Sequence, residues 1–76
     1  MTDSEKLKKA IGDSGYMIHW IMRQMGIKSY STLRDKIDNK QEFKASEIAK
    51  LCEILHLNTD QMNGIFFAQD AESHSA

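Results

Sequence analysis

The chain has 76 residues, which fits one small domain, and its formal net charge of −1 lacks the overall basic surplus usual in nucleic-acid-binding proteins. There is no proline and there are only four glycines, fewer turn residues than an all-β fold needs, so the composition favours helices. The single cysteine, Cys52, excludes an internal disulfide framework and fits a reducing cytoplasm. We expect no membrane span and no signal peptide, because no stretch is long and apolar enough for either.

The first predicted helix follows four polar residues, 1–4, which we expect to be frayed, and it ends near Ser14. Asp3 or Ser4 can cap its start by accepting a backbone N–H, and Gly15 is the preferred C-cap. Its apolar face consists of Leu7, Ala10 and Ile11.

The second predicted helix has apolar residues at the i, i+3, i+4, i+7 spacing of one helical face, namely Ile18, Ile21, Met22 and Met25. Gly26 ends this helix, because a left-handed cap favours a residue without a Cβ, and Ile27 follows as an apolar plug. The run from Met17 to Met22 is more apolar than one helix can bury. Either Trp20 or Ile18 is therefore expected near the surface.

The third predicted helix needs only Leu33 and Ile37 for the core, and Ser29 or Ser31 can cap its start. Its other faces expose polar and hydrogen-bonding residues: Tyr30, Ser31, Thr32, Arg34, Asp35 and Lys36. Two helices joined by a short glycine-containing turn, the second of them sparsely apolar, are typical of a helix-turn-helix.

A polar loop over residues 38–42 follows, in which Asn39 suits a left-handed C-cap and Phe43 is expected to anchor the loop to the core. A fourth helix is predicted from about Ala45 to His56, without a clean capping box at its start. Its predicted apolar face consists of Ile48, Leu51, Cys52 and Leu55.

Asn58 and Gln61 have capping-box spacing and predict the start of a fifth helix. Its apolar residues are Met62, Ile65, Phe66 and Phe67, and Gly64 weakens it. The small, polar stretch of residues 69–76 is expected to be a flexible tail.

Five segments in this order, LKKAIGDSGY, IMRQMGI, STLRDKIDNKQEF, SEIAKLCEILHL and MNGIFFA, resemble the Cro/CI-repressor (lambda-repressor-like, XRE) helix-turn-helix family. The likeness is to small regulators of bacteriophages and mobile elements, and it covers roughly residues 5–68. It implies an all-α, compact five-helix domain whose third helix enters the major groove of double-stranded operator DNA. It also implies a homodimer in the bacterial cytoplasm and no cofactor.

The resemblance places Tyr30, Ser31 and Arg34 at base-reading positions, with Asp35 beside them. The planar fork of Arg34 can hold a guanine edge bidentately. Alternatively, Arg34 is an ordinary exposed residue that pairs with Asp38 four positions later, an interaction worth little. Candidate phosphate contacts are polar or cationic residues that flank the third helix, namely Lys28, Ser29, Lys40, Gln41 and Lys44. Each lysine alone is equally well interpreted as a solvating residue.

A second hypothesis is a phage-type modulator or antirepressor that uses the same fold to bind a partner repressor protein, and a weaker third is an antitoxin-like regulator that does both. The low net charge supports the second hypothesis, as do Met17 and Ile18, which replace the polar Thr-Gln pair common in the family. The candidate dimer or partner contacts are Met17, Ile18, Trp20, Phe66 and Phe67. Of these, Phe66 is the stronger core candidate and Phe67 the stronger dimer candidate, although both rings can also close the monomer core.

Catalysis and metal binding are not expected. His19, His56 and His74 lack ligand spacing, and Cys52 suits a small core hydrophobe better than a nucleophile. The sequence suggests no catalytic triad, phosphate-binding glycine loop or paired-carboxylate cleft, so we expect a protein that is not an enzyme.

Overall fold

The computed structural model describes residues 1–67, and this part of the chain contains five α-helices and no β-strand. The helices are α1 (Ser4–Ser14), α2 (Ile18–Met25), α3 (Tyr30–Ile37), α4 (Ala45–Leu55) and α5 (Thr59–Phe66). The all-α prediction is confirmed for the described residues, and none of these helices is long and apolar enough to cross a membrane. The predicted tail, residues 69–76, lies outside the described residues.

The ends of the helices are fixed by local hydrogen bonds and by backbone conformation, largely as predicted. The Asp3 carboxylate accepts the Lys6 backbone N–H at 3.0 Å and caps α1. Gly26 is left-handed, with φ 74°, where α2 ends. Asn58 and Gln61 each accept the other's backbone N–H, at 2.8 and 2.9 Å, in the predicted capping box of α5.

One core joins the helices, because α1 packs against α3, α4 and α5, while α2 packs against α3 and α4. Its fully buried centre consists of Leu7, Ile21, Leu33 and Leu51, one residue from each of α1 to α4. The predicted apolar face of α4 omitted Ile54, which is buried, whereas Cys52 is only partly buried. The buried face of α4 is therefore centred on Leu51 and rotated towards Ile54.

The N-terminal segment differs from the expected frayed start. The Asn39 side chain accepts the Thr2 backbone N–H at 2.9 Å and donates to the Thr2 carbonyl at 2.7 Å. The Asp3 backbone N–H donates to the Ile65 carbonyl at 2.6 Å. Asn39 takes the predicted left-handed conformation, with φ 67°, and its side chain reaches the N-terminal segment. Residues 1–4 thus link the end of α3 to the end of α5.

The predicted exposure of Lys36 on α3 is wrong, because its side chain is only 8% exposed. Its ammonium group donates to Glu47 Oε1 at 3.0 Å and to the Glu42 carbonyl at 3.1 Å. Lys36 lies three residues after Leu33 and so shares its inward face, and the two acceptors satisfy the buried charge. The same Glu47 oxygen accepts the Lys44 backbone N–H at 2.8 Å and caps the start of α4.

Candidate nucleic-acid interface

The first turns of α3 project from the core. Tyr30, Ser31 and Arg34 are exposed, while the buried residues of this helix are Leu33, Lys36 and Ile37. Three of the four base-reading candidates therefore share one accessible surface. The fourth, Asp35, is half-buried, and its backbone carbonyl accepts the N–H groups of Lys40 and Gln41, at 2.8 and 3.2 Å.

Ser29 occupies the N-cap position of α3, but the predicted side-chain cap is absent. The Ser29 hydroxyl instead forms a hydrogen bond with the Ser31 hydroxyl, at 2.8 Å between the two oxygens. The two serines predicted to cap the helix therefore bond to each other and not to its backbone N–H groups. The Ser29 side chain consequently does not cap the first N–H groups of α3.

Arg34 also makes the ion pair that its spacing to Asp38 allows. Its Nε lies 3.7 Å from Asp38 Oδ2, and the Lys8 ammonium lies 3.6 Å from the other oxygen of the same carboxylate. The Arg34 side chain nevertheless remains 69% exposed. An exposed pair of this kind contributes little free energy, so it does not withdraw Arg34 from a ligand.

All five candidates for phosphate contact are exposed, and in the sequence they lie on either side of α3. Lys28 and Ser29 lie between α2 and α3, Lys40 and Gln41 lie in the loop after α3, and Lys44 precedes α4. Burial of Lys36 against Glu47 removes one cation from this surface. The surface around α3 therefore has only a modest excess of positive charge.

An apolar surface lies at the start of α2. Met17 is 73% exposed. The rings of Tyr16 and Trp20 are also partly exposed, and they contact each other at a tilt of 36° with their centroids 4.7 Å apart. The sequence predicts that either Trp20 or Ile18 lies near the surface. Ile18 is partly buried against the core, so Trp20 is the more exposed of the two. His19 lies close to the first turn of α3, its ring centroid 6.5 Å from that of Tyr30.

The prediction of Phe66 as a dimer or partner contact is wrong. It is 3% exposed and meets the ring of Phe43 edge-on, with the centroids 5.5 Å apart. This contact also places Phe43 in its predicted role as the anchor of the loop before α4. Phe67, one residue later, turns away from the buried face of α5 and is 38% exposed, so the two rings do not both close the core.

Two residues near α3 were missed as site candidates. Lys8 approaches Asp38 although thirty positions separate them, and His19 approaches Tyr30 from α2. Lys8 lies outside the apolar face predicted for this helix, and periodicity alone does not indicate which other helix it faces. Only the packing of α1 against α3 brings Lys8 to this surface.

Residues 1–67 contain no group of three or more His, Cys, Asp or Glu side chains placed to hold a metal ion, and His74 lies outside this range. Burial raises the pKa of the Cys52 thiol, which disfavours the reactive thiolate.

Comparison of the chain with protein-family models, curated proteins and solved structures found no match.

Proposed function

We propose that this protein is a sequence-specific DNA-binding transcriptional regulator with a lambda-repressor-like fold of the Cro/repressor type. In this proposal α3 enters the major groove of operator DNA. The observation that carries the proposal is the exposure of Tyr30, Ser31 and Arg34 on the leading turns of a helix held by Leu33 and Ile37.

Each part of this surface has a separate task in the proposal. Arg34 donates two N–H groups to the O6 and N7 atoms of a guanine, and the hydroxyls of Tyr30 and Ser31 contact bases or phosphates. The flanking residues Lys28, Ser29, Lys40, Gln41 and Lys44 contact phosphates, which fixes the register of the helix on the duplex without specifying sequence. The regulator acts in the bacterial cytoplasm without a cofactor. It pairs through Phe67 into a homodimer that matches a palindromic site.

The test begins with selection of duplexes from a random pool and measures their affinities by fluorescence polarisation at several salt concentrations. We expect Arg34→Ala to cost about 1–3 kcal/mol on the selected site and to relax one base position. Lys40→Ala should weaken binding to all duplexes equally and reduce the salt slope by about one unit. Lys9→Ala removes the same charge from the exposed surface of α1, away from α3, and should change neither quantity.

An Arg34→Ala protein with the sequence preferences of the parent would overturn the assignment of Arg34 as a base reader. Absence of binding to any duplex near physiological salt would overturn the whole proposal.

A second candidate function is binding of a partner repressor protein, which the exposed apolar group of Tyr16, Met17 and Trp20 favours. Its test is a pull-down from host lysate with the wild type and with Met17→Ser. A stoichiometric protein partner that Met17→Ser loses, together with no DNA binding by the wild type, would support this candidate over the first.

A further inference from the structure

An open groove of about 610 Å³ lies between α1 and α3 and extends to the start of α2. Three isoleucines from three helices give it an apolar lining, Ile11, Ile18 and Ile37. Gly12 also lines it, and a Cβ built on Gly12 would meet no atom within 4 Å. Gly12 therefore leaves open space beside it, and the volume of the groove is typical of small-ligand sites.

The groove carries a surplus of positive charge. Lys8 and Arg34 share the single carboxylate of Asp38, at 3.6 and 3.7 Å, distances too long for hydrogen bonds. Within residues 1–67, neither of the two cationic side chains donates a hydrogen bond to the protein. An ammonium and a guanidinium together offer about eight N–H donors. Asp38 is too far away to accept a hydrogen bond from either group, so these donors remain available to a ligand.

We propose that this groove binds a small apolar monocarboxylate. The aliphatic part lies along Ile11, Ile18 and Ile37, and the carboxylate accepts hydrogen bonds from Lys8 and Arg34. Such charge-assisted bonds are stronger than neutral ones, and a guanidinium suits a carboxylate bidentately.

This site has a consequence for DNA binding, and that consequence alone rests on the proposed function. Tyr30 and Arg34 line the groove and also belong to the surface proposed to read bases. A carboxylate held by Arg34 occupies the donors that a guanine needs. The ligand and operator DNA therefore compete.

The binding test uses hexanoate as the probe and follows amide signals of the full chain in ¹⁵N–¹H correlation spectra. Hexan-1-ol and hexylammonium, with the same alkyl chain but neutral and positive ends, are the controls. We expect hexanoate to shift the signals of Gly12, Ile18 and Arg34 saturably, and both controls to bind at least tenfold more weakly. Equal binding of hexanoate and hexan-1-ol, or shifts elsewhere on the protein, would overturn the proposal.

Gly12→Leu tests the place of binding without removing a charge. Because Gly12 lines the groove, a leucine there should take up part of its space. Leucine also favours the helical conformation more than glycine does, so α1 is retained. We expect at least tenfold weaker hexanoate binding, whereas Gly64→Leu on α5, outside this groove, should leave it unchanged. Lys8→Gln keeps the groove open but removes one cation, and should weaken hexanoate severalfold while leaving hexan-1-ol unaffected. Unchanged hexanoate affinity in both Gly12→Leu and Lys8→Gln would refute the site.

Competition with DNA separates this inference from the proposed function. Hexanoate should displace a selected duplex from the wild type but not from Gly12→Leu, which keeps Tyr30 and Arg34. If no duplex binds, the spectra still decide whether the groove takes hexanoate. If duplexes bind through Arg34 while hexanoate leaves the spectra unchanged, the groove proposal alone is wrong.

Discussion

The ion pair of Lys36 and Glu47 joins α3 to the start of α4, and both side chains are largely buried. The Lys36 ammonium is satisfied by a carboxylate and a backbone carbonyl, and Glu47 also accepts the Lys44 backbone N–H. Loss of either partner leaves a buried charge without compensation, which costs more than loss of an exposed pair. This contact therefore adds a polar link between α3 and α4 to the apolar packing of Leu33 and Ile37.

The pair should make stability depend on pH. Burial by itself raises the pKa of the Glu47 carboxyl. Hydrogen bonds from the Lys44 backbone N–H and the Lys36 ammonium, with the charges of both lysines, outweigh burial and lower the pKa below its ordinary value of 4.5. Because the folded pKa is the lower one, this stabilisation is complete above the unfolded pKa and disappears as the pH falls through the folded pKa.

We expect Glu47→Gln to lower the free energy of unfolding by about 1–3 kcal/mol at neutral pH, because it removes charged hydrogen bonds. The difference from the wild type should shrink as the pH falls below the unfolded pKa. Urea denaturation at neutral and acidic pH measures both quantities. A difference that stays the same at both pH values would contradict the role given to this carboxylate.

At the scale of the elements, one glycine inside α1 and one at the end of α2 have opposite conformational requirements. Gly12 lies inside α1 with open space where a Cβ would stand, whereas Gly26 ends α2 at a φ of 74°. Alanine favours the interior of a helix, but its Cβ is strained in the left-handed conformation. The same substitution should therefore have opposite effects at the two positions.

We expect Gly12→Ala to raise the free energy of unfolding by up to about 1 kcal/mol and Gly26→Ala to lower it by about 1–2 kcal/mol. Thermal and urea denaturation of the two variants beside the wild type provide the measurement. Stabilisation by Gly26→Ala would contradict the constraint described for the end of α2, and destabilisation by Gly12→Ala would contradict the open space described inside α1.

The N-terminal segment gives a second prediction at this scale, because the Asn39 side chain holds it to the end of α3. Glycine at position 39 keeps the left-handed backbone and removes only the side chain. We expect Asn39→Gly to cost about 1–2 kcal/mol through lost hydrogen bonds, and Asn39→Ala to cost about 1–2 kcal/mol more through backbone strain.

Urea denaturation measures these costs, and amide hydrogen exchange at Thr2 and Asp3 locates them. Both amides should exchange faster in Asn39→Gly. Wild-type stability and unchanged exchange at Thr2 in that variant would rule out the link between the N-terminus and α3.

At the scale of the whole molecule, a core of this size is marginal, so each large buried ring matters. The adjacent rings of Phe66 and Phe67 have different roles: the first belongs to the monomer core, and the second is available for the proposed dimer. Phe66 meets Phe43 inside the core, while Phe67 remains at the surface. Phe66→Ala should destabilise the monomer by about 3–5 kcal/mol.

We expect Phe67→Ala to leave the fold intact and to shift the proposed dimer towards monomer. Sedimentation equilibrium over a range of concentrations measures the shift, with circular dichroism as the check on folding. A wild type that remains monomeric throughout that range would remove the homodimer from the proposal.

The sequence by itself determined the features whose partners lie within a few residues. Five helices, the cap at Asp3, the corner at Gly26 and the reciprocal bonds of Asn58 and Gln61 all follow from such short-range interactions. The resemblance to helix-turn-helix regulators and the DNA-reading roles drawn from it stay predictions.

Only the tertiary structure decided which distant groups meet. It brought Lys36 to Glu47, Thr2 to Asn39 and Lys8 to Asp38, and it buried Phe66 while leaving Phe67 at the surface. The physical reason is that helical periodicity gives the direction of a face to within a broad arc. The rotation and contact of each helix in the shared core then fix which side chain at the edge of that arc is buried and which neighbour it has.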